Sequence, residues 1–159
     1  MRGSRTFGIL RAGRMGVAVS RFAPLDKVPC PALAGFVSRE VEDDIAHLLL
    51  RPLFDEEREA LLLLGFDAFG RLVHLERIEG DTTGRCIIAP YRWRALVEAG
   101  IRTALMAHNH PSGIALPSDA DIAATHEAAL FLRTMGIDLV DHLIFVADGH
   151  FSFRTAERL

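Results

Sequence analysis

Between Glu59 and Phe66 the chain is nearly all apolar. A run this short with no polar stripe cannot be a surface helix, because it offers water no face; it reads as a strand covered on both sides. Asp67 to Gly70 supplies turn residues, and Arg71 to Ile78 then alternates, so the two runs form a hairpin whose first strand lies inside a sheet. A core sheet is therefore required, and the other segments have to build around it.

They do so in an interleaved order. Cys86 to Ala89 and Ile101 to Ala107 read as further strands, with a helix between them that starts at Pro90, runs through Tyr91 to Glu98 and closes at Gly100. After a loop from His108 to Pro117, Ser118 to Met135 is amphipathic and ends at Gly136. Ile137 to Val146 is another strand, and a final hairpin turns at Asp148-Gly149 and closes with Phe151 to Phe153. Ahead of the sheet, Val41, Ile45, Leu48 and Leu49 fall at helical spacing behind Ser38, which predicts a helix from Val37 to Leu50 ended by Pro52. The expected class is α/β, a mixed β-sheet sandwiched by helices. Residues 1–37, with scattered Gly and Pro, are expected to be a loosely ordered arm, and residues 38–159 the single domain.

Charge and cysteine usage narrow the function. Acidic residues outnumber Lys and Arg by 21 to 18, a balance unsuited to a nucleic-acid binder. The local basic excess, Arg2, Arg5, Arg11, Arg14 and Arg21, reads as a solubilising arm. Cys30 and Cys86 match no zinc or redox spacing and are expected to be reduced thiols. With no apolar run long enough to span a bilayer and no signal-peptide core, the expected setting is the cytoplasm, without a membrane partner.

The chemistry concentrates in the segment from His108 to Asp121, which reads His-Asn-His-Pro-Ser-Gly-Ile-Ala-Leu-Pro-Ser-Asp-Ala-Asp. Side chains alternate along an extended backbone, so His108 and His110 at a strand end point the same way and can share one metal ion. Pro111, Gly113 and Pro117 keep the following loop irregular, which lets it fold back and set Asp121, on the first turn of the next helix, over the histidines. Two imidazoles and one carboxylate with a fourth position left for water are the ligands of a catalytic zinc site, which lowers the pKa of water to about 7 and polarises a carbonyl.

The spacing His-x-His, seven residues, Ser, two residues, Asp resembles the JAMM/MPN+ metallopeptidases, and His108-Asn109-His110-Pro111-Ser112-Gly113 followed by Pro117-Ser118 is similar to their RadC-like JAB domain branch. The resemblance spans roughly Glu59 to the C-terminus and includes Asp141-His142. It implies a JAB/MPN domain of cytidine-deaminase-like architecture that hydrolyses a peptide or isopeptide bond, with Zn2+ on His108, His110 and Asp121. Ser118 would help hold the developing oxyanion. A glutamate on an upstream strand would act on the attacking water as general acid and base. Counting back from Cys86 and Pro90 selects Glu76 for that role, with Glu79, of opposite strand parity, as the alternative. The resemblance also makes His142 a candidate support for a metal-bound imidazole.

Other readings stand beside this one. Ser118 and Asp121 form an ordinary helix-start pair, and His47, His74, His126 and His150 are unremarkable surface or core residues. His74-Leu75-Glu76 imitates the His-x-Glu of zinc deaminases but lacks the downstream Pro-Cys-x-x-Cys. Tyr91 and Trp93 are packing residues rather than base-stacking platforms. A non-catalytic MPN-type scaffold and a DNA-repair-associated accessory role are the alternatives in other classes; the second is disfavoured by the charge and by the lack of room for a helical DNA-binding module ahead of the domain. Oligomeric state leaves no readable mark, a homodimer being one open option.

Overall fold

The computed structural model describes residues 33–81, 86 and 88–159. Six strands, β1 (Phe36–Ser38), β2 (Ala60–Phe66), β3 (Leu72–Glu79), β4 (Thr103–Asn109), β5 (Asp138–Val146) and β6 (Gly149–Ser152), form one sheet in the order β1-β6-β5-β4-β2-β3. All neighbours run antiparallel except β4 and β5, which are parallel. Parallel neighbours need a crossover long enough to return the chain to its starting end, and α2 (Asp119–Thr134) supplies it. The other helix, α1 (Pro90–Glu98), connects β3 to β4.

β2 explains why the sheet is covered on both faces. Leu61 and Leu63 point to the face where Leu96 of α1 and Ala128 and Leu132 of α2 pack. Leu62 and Leu64 point to the opposite face, against Ala46 and Leu50 with Leu53 and Phe54 beside them. All four leucines are buried, each contributing roughly 2 kcal/mol of hydrophobic stabilisation. The architecture is the expected mixed sheet with helices. Among the described residues no helix is long and apolar enough to cross a membrane.

Three local expectations meet a different outcome. In place of one helix over Val37 to Leu50 there is β1, a 3-10 turn (Arg39–Val41), a π-helical turn (Ile45–Leu50) and a 3-10 turn (Arg51–Leu53). The break is at Glu42, whose backbone is extended (φ −59, ψ 142). Its carboxylate is fully buried and held by Arg51 and by Nδ1 of His150 at 2.9 Å. Asp43 then starts the next turn by accepting the amide of Ala46 through Oδ1 at 2.8 Å. An ion pair overrides the apolar spacing, and Val41, Ile45 and Leu48 are left exposed. Phe36 and Val37, assigned to the arm from sequence, pair with β6; the rest of that arm, with Cys30, lies mostly outside the described residues. Cys86, Ile88 and Ala89 are not in a strand, and residue 87 lies outside the described set.

Candidate metal centre

The sheet delivers the two histidines as their spacing requires. His108 is in β4 and His110 is one residue beyond its end, both on the face that carries α2. Their Nε2 atoms lie 2.9 Å apart. Gly113, with φ of +76, turns the loop back and donates its amide to the carbonyl of His110 at 3.0 Å; a residue with a side chain would be strained there. The loop then enters α2 through a reciprocal cap. Ser118 Oγ accepts the amide of Asp121 at 3.2 Å, and Asp121 Oδ2 accepts the amide of Ser118 at 2.8 Å and its hydroxyl at 2.6 Å. This cap is the ordinary one for a helix start, and here it also aims a carboxylate. Asp121 Oδ1 lies 3.4 Å from His108 Nε2 and Oδ2 3.5 Å from His110 Nε2.

Proton accounting fixes what the imidazoles present to one another. Thr125 Oγ1 is 2.5 Å from the carbonyl of Asp121 and must donate its only proton there. It therefore accepts from His142 Nδ1, 2.6 Å away. His142 is buried; burial and the neighbouring His108 push its pKa well below the usual histidine value, so it is neutral and its Nε2 carries a lone pair. That lone pair receives the Nδ1 proton of His108 at 2.8 Å, leaving Nε2 of His108 as the free electron pair. His110 donates Nδ1–H to the carbonyl of Ile114 at 2.7 Å, with the same result. In neutral rings two lone pairs then face each other across 2.9 Å, a contact that a shared proton or a cation would relieve. Such an arrangement repels unless a positive charge sits between the nitrogens.

Without a cation, the electrostatics draw protons into the same gap. Burial alone would raise the Asp121 carboxyl, but hydrogen bonds from His108, His110 and Ser118 outweigh it and hold the group far below the carboxylate range. Burial opposes protonation of His110, yet Asp121, the Ile114 carbonyl and the charge of Glu59 together raise its pKa. The donor set of imidazole nitrogens and carboxylate oxygens fits a divalent cation of borderline softness.

A second carboxylate completes the ring. Glu59 Oε1 is 3.9 Å from His110 Nε2, and Glu59, His108 and His110 form a group able to hold a metal ion. The register accounts for this: Leu61 pairs with His108 across β2 and β4, so the residue two earlier stands opposite His110 on the same face. Asn109 locks the approach, its Nδ2 donating to the carbonyls of Asp55 (2.7 Å) and Arg58 (2.9 Å) while its Oδ1 accepts the amide of Ala60 at 2.9 Å.

A family model described as RadC-like JAB domain matches residues 40–158. The chain belongs to the RadC-like JAB domain family. Similar curated proteins are a UPF0758 protein of Trichormus variabilis, 32% identical over 98% of this chain and 61% of the relative, and one of Nostoc, 32% identical over 95% of this chain and 59% of the relative. A UPF0758 protein of Paraburkholderia phytofirmans is 34% identical over 62% of this chain and 38% of its own length. The chain thus spans about 60% of the length of the first two relatives.

In this RadC-like JAB domain the structure brings His108, His110 and Asp121 together and does not bring Glu76 to them. Glu76, on β3, pairs with Leu63 of β2, and Leu63 with Met106 of β4. It is therefore two strands away from the histidines and at least two residues out of level with them, more than about 10 Å along the sheet. Its carboxylate is bound by Arg92 of α1. Glu79 is opposite Ala60, on the other face, and pairs with Arg77 at 3.0 Å. Ser118 is at the site, but its hydroxyl proton goes to Asp121, so its place here is to orient that carboxylate. Glu59, Asn109 and Thr125 carry no sequence signal that singles them out; only the pairing of β2 with β4 reveals the first two.

Proposed function

We propose that this RadC-like JAB domain is a zinc-dependent hydrolase of amide bonds, with His108, His110 and Asp121 as ligands and Glu59 as general acid and base. The observation that carries the reading is the pair of imidazole Nε2 atoms 2.9 Å apart beside Asp121, with the far nitrogens of the two rings held by His142 and by the Ile114 carbonyl. When bound there, zinc supplies Lewis acidity, polarising a carbonyl and acidifying water. The side chains of this domain do the rest. Glu59 takes a proton from the attacking water, whose oxygen bonds to the carbonyl carbon, and returns that proton to the departing amine as the C–N bond breaks. Asn109 holds the segment carrying Glu59 at a fixed distance from His110. The capping box keeps the Asp121 carboxylate aimed.

Zinc-loaded protein incubated with a peptide mixture and followed by mass spectrometry tests the assignment. Glu59→Gln should retain metal and lose activity about 100-fold or more, the range for removal of a general base, whereas Glu76→Gln should cleave like the parent. Full activity in Glu59→Gln, or no cleavage by the zinc-loaded parent, overturns the proposal.

A further inference from the structure

Among the described residues, the space between α1 and α2 beside the histidines does not close. A cavity of about 870 Å3 extends from Glu59, His108 and Asp121 along the sheet, floored by Leu61 and Met106 and walled by Trp93 and Phe131. Protein interiors rarely tolerate voids larger than a water molecule, so a space of this size is not a packing defect; it lies within the range of ligand sites. It exists because α2 turns small residues towards it. Ala120, Ala124 and Ala128 line it at four-residue intervals, where any larger side chain would fill the groove. At the far end Trp93 and Phe131 meet with ring centroids 5.5 Å apart, and Phe131 remains 42% exposed.

We propose that this groove is a substrate subsite that takes a bulky apolar side chain of a peptide, next to the bond cut at the metal centre. The inference rests on the hydrolase reading for the word substrate, but the groove itself is built without metal. Its polar end meets the histidines and Asp121, so a backbone carbonyl held there places the adjoining side chain over Leu61 and Met106. An aromatic ring laid between Trp93 and the alanine wall buries apolar surface on every side and gains edge or offset contacts with two rings. A charged side chain would lose its water against Leu61, Met106 and Trp93; Glu127 is at the solvent-exposed edge of the groove.

Trp93 is the single tryptophan of the chain and lines the groove, so its fluorescence reports occupancy directly. Acetyl-Gly-Xaa-Gly-amide peptides with phenylalanine, serine or lysine in the middle are titrated into the whole protein, zinc-loaded and after EDTA, with zinc measured on the same samples. The phenylalanine peptide should give a saturable change in Trp93 emission, binding about 10- to 100-fold more tightly than the serine peptide. Ala124→Phe should abolish that preference by filling the groove, and Phe131→Ala should weaken it. Equal responses to phenylalanine and serine overturn the subsite, and a stronger response to lysine would assign the groove to Glu127 instead. A phenylalanine preference in protein that binds no zinc keeps the subsite and defeats the metal reading; bound zinc with no preference does the reverse.

Discussion

Replacing Thr125 by valine keeps the shape of the side chain and removes one oxygen, and its effect should be felt two residues away, at the metal. The hydroxyl gives its proton to the Asp121 carbonyl at 2.5 Å and accepts the Nδ1 proton of His142 at 2.6 Å. With a methyl group there, His142 faces two poor choices. It can keep the proton on Nδ1 with no acceptor, in a buried side chain, which costs about 1–3 kcal/mol. Or it can move the proton to Nε2, which forces His108 to carry its own proton on the nitrogen that faces His110, where a ligand needs a lone pair. The first route lowers stability and the second lowers metal affinity, for which loss of a partner behind a ligand costs about 10- to 100-fold. Competition for zinc against a chromophoric chelator measures the affinity, and thermal unfolding of the metal-free protein measures the stability. Thr125→Ser restores the oxygen and should recover most of the affinity. If Thr125→Val matches Thr125→Ser both in affinity to within about twofold and in thermal stability, the relay does not set the tautomer of His108.

Two further outcomes follow from the same geometry. Asn109→Ala leaves two carbonyls and one amide near the start of β2 without their side-chain partner; denaturant unfolding should show a loss of about 2 kcal/mol or more, and hydrolysis should fall further than metal content does, because Glu59 loses its anchor. Glu42 tests the other face: although burial opposes its charge, hydrogen bonds from Arg51 and His150 depress its pKa below the ordinary 4.5. A depressed carboxylate contributes stability that is complete above the unfolded value and is lost as pH falls below it. Unfolding free energy should therefore drop on acidification below pH 4.5 in the parent and stay flatter in Glu42→Gln, which should already be weaker at neutral pH by about 3 kcal/mol for a broken buried pair. A parallel acid profile in the two proteins would remove Glu42 from the account.

The histidine spacing, the turn residues of the loop and the capping pair of Ser118 and Asp121 are local signals, and local signals suffice for His108, His110 and Asp121 because one strand end and the first turn of the next helix hold all three. The α/β class was legible for a similar reason: Ala60 to Phe66 offers no polar side chain, and no arrangement but a doubly covered strand hides it. Glu59 was not legible, because its place depends on which strand pairs with which and in what register. Counting along the chain favours Glu76 on the second hairpin strand, whereas the sheet puts β2, not β3, beside β4. His142 is marked only by its place in the family pattern, and Thr125 stays hidden until α2 is laid over the parallel strand β5. The apolar spacing from Val41 to Leu49 misleads for the opposite reason, since a buried carboxylate at Glu42 breaks the backbone that the spacing would have made continuous.

Elemental analysis of the purified protein and of His110→Ala bears most directly on the claim that two imidazoles and a carboxylate meet around one cation. About one equivalent of zinc per chain in the parent and close to none in the variant is the outcome expected when one of three protein ligands is lost. Zinc retained in full by His110→Ala, or absent from a folded parent supplied with the metal, would contradict it.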